Sequence, residues 1–231
     1  VGGVIVPPKG YLAACYKAIR DAGGICVADE VQVGFGRFGT HFWAFEQQEV
    51  VPDIVTMGKP FGNGMPLAAV VTTRAVSDAF HNGLEYFNTF GGNPVCCAAG
   101  LAVLEVIKEE KLQENARLVG EYLLGKLRDL AEARPLIGDI RGQGLFVGIE
   151  FVRDKKTLQP ATAETSEICA RMKDEHQILM SIDGPNDNVL VMKPPMCFSK
   201  SNVDETITAL DAVLNSVRVR AEGSDVGHTP T

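Results

Sequence analysis

Two short stretches decide the fold of this chain: Ile-Cys-Val-Ala-Asp, residues Ile25–Asp29, and Asp-Ile-Val-Thr-Met-Gly-Lys, residues Asp53–Lys59. Each is an apolar run with a polar residue at or just past its end, a pattern typical of strands buried in a mostly parallel sheet. The carboxyl ends of neighbouring parallel strands share one crevice, where α/β sheets bind their ligands. We therefore expect an α/β fold in which the Asp29 carboxylate and the Lys59 amine lie together.

An amine and a carboxylate in one crevice match the needs of a pyridoxal phosphate site. A lysine holds this cofactor as a Schiff base, and a carboxylate keeps the pyridine nitrogen protonated, so that the ring withdraws electrons from a substrate carbanion. Either residue alone is more often an ordinary surface lysine or an acid that ends a strand. The pair predicts Lys59 and Asp29 as catalytic and cofactor-binding residues.

Two glycine-containing motifs point to other ligands and fit them poorly. Gly34–Gly39 matches G-x-G-x-x-G, but Asp29–Val33 separate it from the predicted strand, and Asp53 comes early for the acid expected about 20 residues on. Gly58-Lys59 fails as a phosphate-binding loop, because Asp53 occupies the leading glycine position and Pro60 replaces the Ser/Thr that would meet magnesium.

Composition and charge exclude several classes of protein. Hydrophobic residues make up 45% and charged residues 22% of the 231 residues, as in an ordinary globular protein. The net charge of −7 argues against a nucleic-acid partner, and no apolar run is long enough to predict a membrane span. The four histidines are isolated, so we expect no metal site. The spacing of the six cysteines predicts buried thiols in a reducing compartment.

Hydrophobic periodicity and capping residues predict the order of the elements. Predicted helices are Tyr11–Ala22, a helix capped by Asn93 with Pro94 in its first turn, Leu112–Ala133, Thr165–Gln177 and Ser201–Val217, the last capped by Ser201 or Asn202. Predicted strands are Ile25–Ala28, Ile54–Met57, Ala68–Thr72, a hairpin within Ile137–Val152, Ile178–Ile182 and Val189–Met192. The polar run at Lys108 predicts a boundary between an α/β domain of residues 1–107 and a small α+β domain of residues 108–218. Residues 219–231 are expected to be a disordered tail.

Four stretches carry a family resemblance that extends from the first residues to about Val217. They are Ala28–Arg37, Pro52–Lys59, Asn88–Pro94 and Arg141–Leu145. With them, the chain resembles the carboxyl-terminal half of a class III pyridoxal phosphate-dependent aminotransferase. Gly2–Tyr11, Met180–Pro185 and Lys193–Phe198 are most similar to the alanine-glyoxylate aminotransferase 2-like branch, which includes ethanolamine-phosphate and 5-phosphohydroxy-lysine phospho-lyases.

The resemblance implies a role for each matching residue. Lys59 would hold the cofactor and transfer the substrate proton, and Asp29 would pair with the pyridine nitrogen. Gln32 would reach the phenolic oxygen of the ring, and Thr89 would bind the cofactor phosphate across a dimer interface. Arg141 would contact the substrate carboxylate or a nearby acid. The fold would be fold type I, with this chain holding the second half of the cofactor-binding large domain, and the full-length protein a homodimer or tetramer.

The resemblance leaves the reaction open between two alternatives. One is a phospho-lyase acting on phosphoethanolamine or phosphohydroxylysine, and the other is an aminotransferase of the alanine-glyoxylate or omega-amino type. In either case we expect the substrate to be a small amine or amino acid and the compartment to be the mitochondrial matrix or the cytoplasm.

One departure from the family bears on whether the chain acts alone. The chain starts at Val1, and the amino-terminal half of the family pattern, with its phosphate-cupping loop and the first strands of the sheet, is missing from it. A sheet without those strands would expose apolar edges. A third hypothesis is therefore an inert fragment that binds a full-length subunit or nothing.

Overall fold

The computed structural model describes residues 2–218, which divide into two compact units. The amino-terminal unit holds residues 7–116, and the carboxyl-terminal unit holds residues 2–6 together with residues 117–218. The predicted boundary between residues 107 and 108 lies in the last turn of the helix Pro94–Glu109, whereas the division between the two units lies inside the next helix, Leu112–Ala133. The predicted domain bounds stay a prediction. The predicted tail, residues 219–231, lies outside the described residues.

The amino-terminal unit is built from short strands and longer helices. Its elements are α1 (Tyr11–Asp21), β1 (Val27–Asp29), β2 (Ile54–Met57), β3 (Ala69–Thr72), α2 (Arg74–Phe80) and α3 (Pro94–Glu109), with short 3-10 helices at Ala44–Gln48 and Lys59–Phe61. β1 pairs with β2 in parallel, and β2 pairs with β3 antiparallel. An antiparallel strand at the edge of a parallel sheet is common in α/β folds, so the sheet agrees with the predicted class.

The start of α3 follows from its sequence. The Asn93 side chain accepts hydrogen bonds from the backbone N–H groups of Val95 at 3.0 Å and Cys96 at 3.2 Å, and Pro94 occupies the first helical position. An asparagine cap satisfies N–H groups that lack partners within the helix, and proline fits this position because it has no N–H to satisfy. The predicted cap is confirmed.

The strands of this unit are less buried than their apolar sequence predicts. The side chains of Ile25, Val27, Val70 and Val71 are each more than half exposed. Strands buried on both faces need a covering layer on each, and residues 2–218 do not cover these side chains.

The cysteines are only partly buried. All six are free: Cys26 and Cys96 are buried, Cys15 and Cys169 are partly buried, and Cys97 and Cys197 are exposed. The prediction of buried cysteines is therefore wrong for Cys97 and Cys197. Cys97 precedes exposed Leu101 by one helical turn on a face of α3 that the described residues leave uncovered, and Cys197 lies in the loop before the last helix.

The carboxyl-terminal unit is a small α+β arrangement, as predicted. Its elements are α4 (Leu112–Ala133), whose first residues belong to the other unit, β4 (Ile137–Gln143), β5 (Phe146–Asp154), β6 (Gln159–Pro160), α5 (Thr162–His176), β7 (Ser181–Asp183), β8 (Val189–Met192) and α6 (Lys200–Leu214). The strands form an antiparallel sheet in the order β4-β5-β8-β7, with β6 beside β5. Fully buried side chains include Leu123, Leu127, Ile149, Phe151 and Leu210.

The glycines of the Arg141–Leu145 stretch lie at the end of β4 and in the turn that leads to β5. A Cβ atom at Gly120 of α4 would lie 2.3 Å from the carbonyl oxygen of Gly144, so the helix backbone touches the turn directly. Gly142 has a φ of +132° and Gly144 a φ of +54°, both in the region that favours glycine. Gly142 and Gly144 thus allow the backbone conformation, and Gly120 allows the close approach of the helix.

The cap of α6 differs from the prediction. Ser199, and not Ser201 or Asn202, is the N-cap: its hydroxyl accepts a hydrogen bond from the Asn202 N–H at 3.2 Å. The Asn202 side chain accepts in return from the Ser199 N–H at 3.1 Å. The helix begins earlier than its apolar periodicity indicates, because this reciprocal capping pair fixes its first turn.

We expect Ser199→Ala to lower the free energy of unfolding by about 1 kcal/mol, because the substitution leaves the Asn202 N–H without its acceptor. Urea unfolding of the full-length protein, followed by circular dichroism, measures the loss. Ser201→Ala is the matched control, since Ser201 lies inside the first turn and is not the cap. An equal or larger loss in Ser201→Ala would contradict the assignment of the cap.

Candidate active site

Asp29 lies at the carboxyl end of β1, directly opposite Thr56 of β2. Its Oδ1 atom accepts a hydrogen bond from the Val31 N–H at 3.1 Å and a longer one from the Thr56 hydroxyl at 3.4 Å. The side chain is exposed, and Oδ2 has no hydrogen bond from the part of the chain that the structure describes. The carboxylate is therefore held by one oxygen and leaves the other open.

Lys59 follows β2 by two residues and has a strained backbone. Its φ is +32°, in the left-handed region that non-glycine residues rarely adopt. It opens the 3-10 helix Lys59–Phe61, and its carbonyl accepts hydrogen bonds from the N–H groups of Gly62 and Asn63. Such strain costs about 1–3 kcal/mol and persists where the surrounding structure enforces it, which is common at functional sites.

The Lys59 side chain is exposed, and within residues 2–218 its amine has no hydrogen-bond or ion-pair partner. Because Asp29 lies opposite Thr56, and Thr56 precedes Lys59 by three residues, both side chains start from the same edge of the sheet. Both residues therefore lie at the carboxyl ends of paired strands, and the expectation that their side chains lie together stays a prediction.

Gln32 and Thr89 lie in exposed turns of the same unit. Gln32 is in the turn that follows β1, and Thr89 is in the turn that precedes α3. Asn88 shapes this second turn by accepting hydrogen bonds from the N–H groups of Phe90 at 3.2 Å and Gly91 at 3.0 Å. Within the described residues Thr89 makes no hydrogen bond to the other predicted site residues, and the roles of Gln32 and Thr89 stay predictions.

Arg141 belongs to the carboxyl-terminal unit, where it already has partners. Its Nε atom donates to the carbonyl oxygens of Gly3 at 2.9 Å and Val4 at 3.1 Å, and its Nη1 atom donates to Asp139 at 2.8 Å and to Glu150. Burial lowers the pKa of the guanidinium, but hydrogen bonds to these two carboxylates outweigh burial, so the pKa is raised. Arg141 thus contacts nearby acids, one of the two expectations for it.

Glu30 is a residue that the sequence analysis missed. It is 2% exposed, and its carboxylate accepts hydrogen bonds from the N–H groups of Ala44 at 2.8 Å and Phe45 at 3.0 Å. Its own N–H donates to the Thr56 carbonyl at 2.9 Å. Desolvation raises the pKa of this carboxyl, and the two backbone hydrogen bonds only partly offset it. Alternation along a strand places neighbouring acids on opposite faces, so the Asp29-Glu30 pair itself indicated one inward carboxylate.

The family model described as aminotransferase class-III matches residues 1–214. The chain belongs to the class III aminotransferase family. Enzymes of this family depend on pyridoxal phosphate. Among residues 2–218, no group of three or more His, Cys, Asp or Glu side chains is arranged to hold a metal ion, and none of their helices is long and apolar enough to cross a membrane.

The chain is similar to proteins that are named for two different activities. It is 54% identical over 217 residues to the alanine–glyoxylate aminotransferase 2-like protein of Drosophila melanogaster, covering 94% of this chain and 44% of that one. It is 52% identical to the mitochondrial alanine–glyoxylate aminotransferase 2 homolog 2 of Arabidopsis thaliana, covering 91% and 44%. A phospholyase from Arthrobacter, solved in complex with phosphoethanolamine, superposes with a TM-score of 0.90 at 41% identity, covering 94% and 51%. The chain thus spans about half the length of the relatives it matches.

Glu30 gives a prediction on the pH dependence of stability. A raised pKa means that native Glu30 keeps its proton at pH values where the unfolded chain has lost it. Its contribution is therefore present below its ordinary pKa of 4.5 and is lost as the pH rises through the raised native value. We expect the stability of the wild-type protein relative to Glu30→Gln, which does not titrate, to fall over that range in urea unfolding.

The matched control is Glu49→Gln, which removes an exposed carboxylate just beyond the segment that Glu30 binds. Measured at one neutral pH, it should change the free energy of unfolding by no more than about 0.5 kcal/mol, as is usual for surface substitutions. If the free energy of unfolding of the wild-type protein rose relative to that of Glu30→Gln over the same pH range, the raised pKa of the buried Glu30 carboxyl would be contradicted.

Proposed function

We propose that the full-length protein is a pyridoxal phosphate-dependent enzyme that acts on a small amine through Lys59, as a phospho-lyase on phosphoethanolamine or phosphohydroxylysine. The observation that carries this proposal is the placement of Asp29 and Lys59 at the carboxyl ends of paired parallel strands, in a chain of the class III aminotransferase family. Ligands of α/β sheets bind at this end of the strands.

The residues present fit the cofactor chemically. Lys59 supplies an exposed amine for the aldehyde, and Asp29 supplies a carboxylate with one open oxygen for the ring N–H. Gln32 and Thr89 supply an exposed amide and hydroxyl, suited to the phenolic oxygen and the phosphate. When bound, pyridoxal phosphate supplies an electron-withdrawing ring that stabilises negative charge on the substrate carbon. Lys59 would then remove and return the substrate proton, and Asp29 would keep the ring nitrogen protonated.

Of the two proposed substrates, the partners of Arg141 favour phosphoethanolamine, which has no carboxylate, over phosphohydroxylysine, which has one. Its Nε and Nη1 atoms are engaged by two backbone carbonyls and by the carboxylates of Asp139 and Glu150. Pairing within the protein leaves less of the guanidinium for a substrate carboxylate. Phosphoethanolamine has no carboxylate, and the Arthrobacter structure is of a phospholyase in complex with it.

Amino transfer is the second candidate, because the Drosophila and Arabidopsis relatives are named as alanine–glyoxylate aminotransferases or like them. Both reactions begin by removing a proton from the carbon that carries the amine. Elimination then expels phosphate from a neighbouring carbon and, after hydrolysis, yields ammonia and an aldehyde. Transfer instead requires a keto-acid acceptor. We further propose a homodimer or tetramer in the mitochondrial matrix or the cytoplasm; the Arabidopsis relative is named as mitochondrial.

An inert fragment remains the alternative outside catalysis. The chain spans 44% of the Drosophila relative, and several apolar strand residues of the amino-terminal unit are exposed. If the 231 residues alone bind pyridoxal phosphate and turn over substrate, the inert-fragment alternative is wrong. Absorbance of the cofactor after its addition to the isolated chain measures the binding.

We expect Asp29→Asn to lower turnover by on the order of a hundredfold or more while cofactor retention changes much less. The substitution removes the negative charge beside the ring nitrogen but leaves the amine and phosphate contacts. Steady-state kinetics and cofactor absorbance after dialysis measure the two effects. Asp78→Asn, which removes an exposed carboxylate from α2, is the control. Turnover near the wild-type value in Asp29→Asn would remove Asp29 from the site.

We expect the full-length enzyme to release inorganic phosphate and ammonia from phosphoethanolamine or phosphohydroxylysine. Alanine plus glyoxylate, assayed in parallel, tests amino transfer. Lys59→Ala should abolish either activity, because it removes the proton-transferring amine. Borohydride reduction of the cofactor-loaded enzyme followed by peptide mapping should place the label on Lys59.

Each outcome of this assay decides one part of the proposal. Amino transfer without phosphate release would reject the phospho-lyase and leave the family assignment standing. A label on any lysine other than Lys59 would reject the assignment of the cofactor-binding residue.

A further inference from the structure

The Gly34-Phe35-Gly36 segment, which fits a dinucleotide site poorly, has a different place in the structure. Phe35 is 1% exposed and has a φ of +62°, a left-handed backbone that is an outlier for so bulky a residue. A strained backbone persists only where the surrounding structure enforces it, and it is concentrated at functional sites. Phe35 and Lys59 are both strained in this way.

The Phe35 ring lies against the segment that carries Lys59. It stacks on the Phe61 ring, with a centroid distance of 5.3 Å and an interplanar angle of 25°. It also forms one buried cluster with Met57. Met57 precedes Lys59 by two residues and Phe61 follows it by two, so the cluster holds the backbone on both sides of the lysine.

The two glycines allow the ring to enter this position. A Cβ atom at Gly34 would lie 2.9 Å from the Trp43 ring, and a Cβ atom at Gly36 would lie 2.9 Å from the Cβ of Gln113. Gly36 also has a φ of +78°. A side chain at either position would clash with these neighbours, so the two glycines allow the packing in which the Phe35 ring meets Phe61.

Backbone hydrogen bonds link Phe61 to the Lys59 turn. The Phe61 N–H donates to the Gly58 carbonyl at 2.9 Å, and the Gly62 N–H donates to the Lys59 carbonyl. A shift of the Phe61 ring therefore shifts the backbone that carries the lysine. The Phe35 ring also contacts the Trp43 ring edge-on, with a centroid distance of 5.2 Å.

We propose that Phe35 is a positioning residue for Lys59: its ring holds Phe61, and through Phe61 it holds the strained turn from which the Lys59 amine extends. The proposal rests on the proposed function, in which that amine does the chemistry. It assigns the Gly34–Gly36 pattern to the placement of the lysine and not to a bound nucleotide.

The test compares three leucine substitutions in the full-length protein. Phe35→Leu and Phe61→Leu each remove one half of the stack. Phe42→Leu is the matched control, because Phe42 packs in the same cluster and meets Phe35 edge-on at 5.6 Å but flanks no site residue. Phe61→Tyr keeps a ring at a partly exposed position and is the conservative variant expected to retain activity.

Amide hydrogen exchange in the cofactor-free protein is the first readout. We expect the amides of Phe61 and Gly62 to exchange at least tenfold faster in Phe35→Leu and Phe61→Leu, and within twofold of wild type in Phe42→Leu. The double variant Phe35→Leu/Phe61→Leu should exchange no faster than the faster single variant, since both changes remove the same contact. Unchanged exchange, or effects that multiply in the double variant, would overturn the proposal.

Kinetics of the cofactor-loaded enzyme are the second readout. We expect kcat to fall at least tenfold in Phe35→Leu and in Phe61→Leu, while KM changes less than threefold. Each substitution displaces the lysine but leaves the contacts to the substrate in place. Faster exchange with a wild-type kcat would also overturn the proposal. Failure of the proposed function can be distinguished from failure of this proposal. Full activity in Lys59→Ala would reject the proposed function, whereas amide exchange in the cofactor-free protein decides whether Phe35 holds the turn.

Discussion

The parallel pairing of β1 with β2 is the constraint on which the candidate site depends. It sets Asp29 opposite Thr56 and so brings the Lys59 turn to the same edge of the sheet. A shift of this pairing by one residue would exchange the faces of every side chain. It would turn Asp29 inward and the buried Glu30 outward. The register is therefore a condition for the chemistry that we propose.

Interactions beneath this edge hold that register in place. The Glu30 carboxylate binds two backbone N–H groups at the start of the 3-10 helix Ala44–Gln48, and its N–H binds the Thr56 carbonyl. The Phe35 ring fills the space beside Met57 and Phe61. Burying a carboxylate and straining a backbone both cost free energy. Both occur within a few residues of Asp29 or Lys59.

The carboxyl-terminal unit is organised around its own antiparallel sheet, and there Arg141 connects distant parts of the chain. It binds the backbone of Gly3 and Val4 together with the carboxylates of Asp139 and Glu150. Replacing Arg141 would remove its hydrogen bonds to two backbone carbonyls and would leave the partly buried Glu150 carboxylate without its counter-charge. The first residues of the chain consequently belong to the unit formed by its second half.

The sequence by itself determined the α/β class, nearly every helix and strand, the Asn93 cap and the shared edge of Asp29 and Lys59. These follow from periodicity, capping residues and strand-end polar residues, which are patterns within a few neighbouring positions. Only the tertiary structure decided that Glu30 is buried, that Phe35 meets Phe61, and how far the strands are covered. These properties depend on contacts between residues far apart in the chain, and local patterns do not encode which distant residues meet.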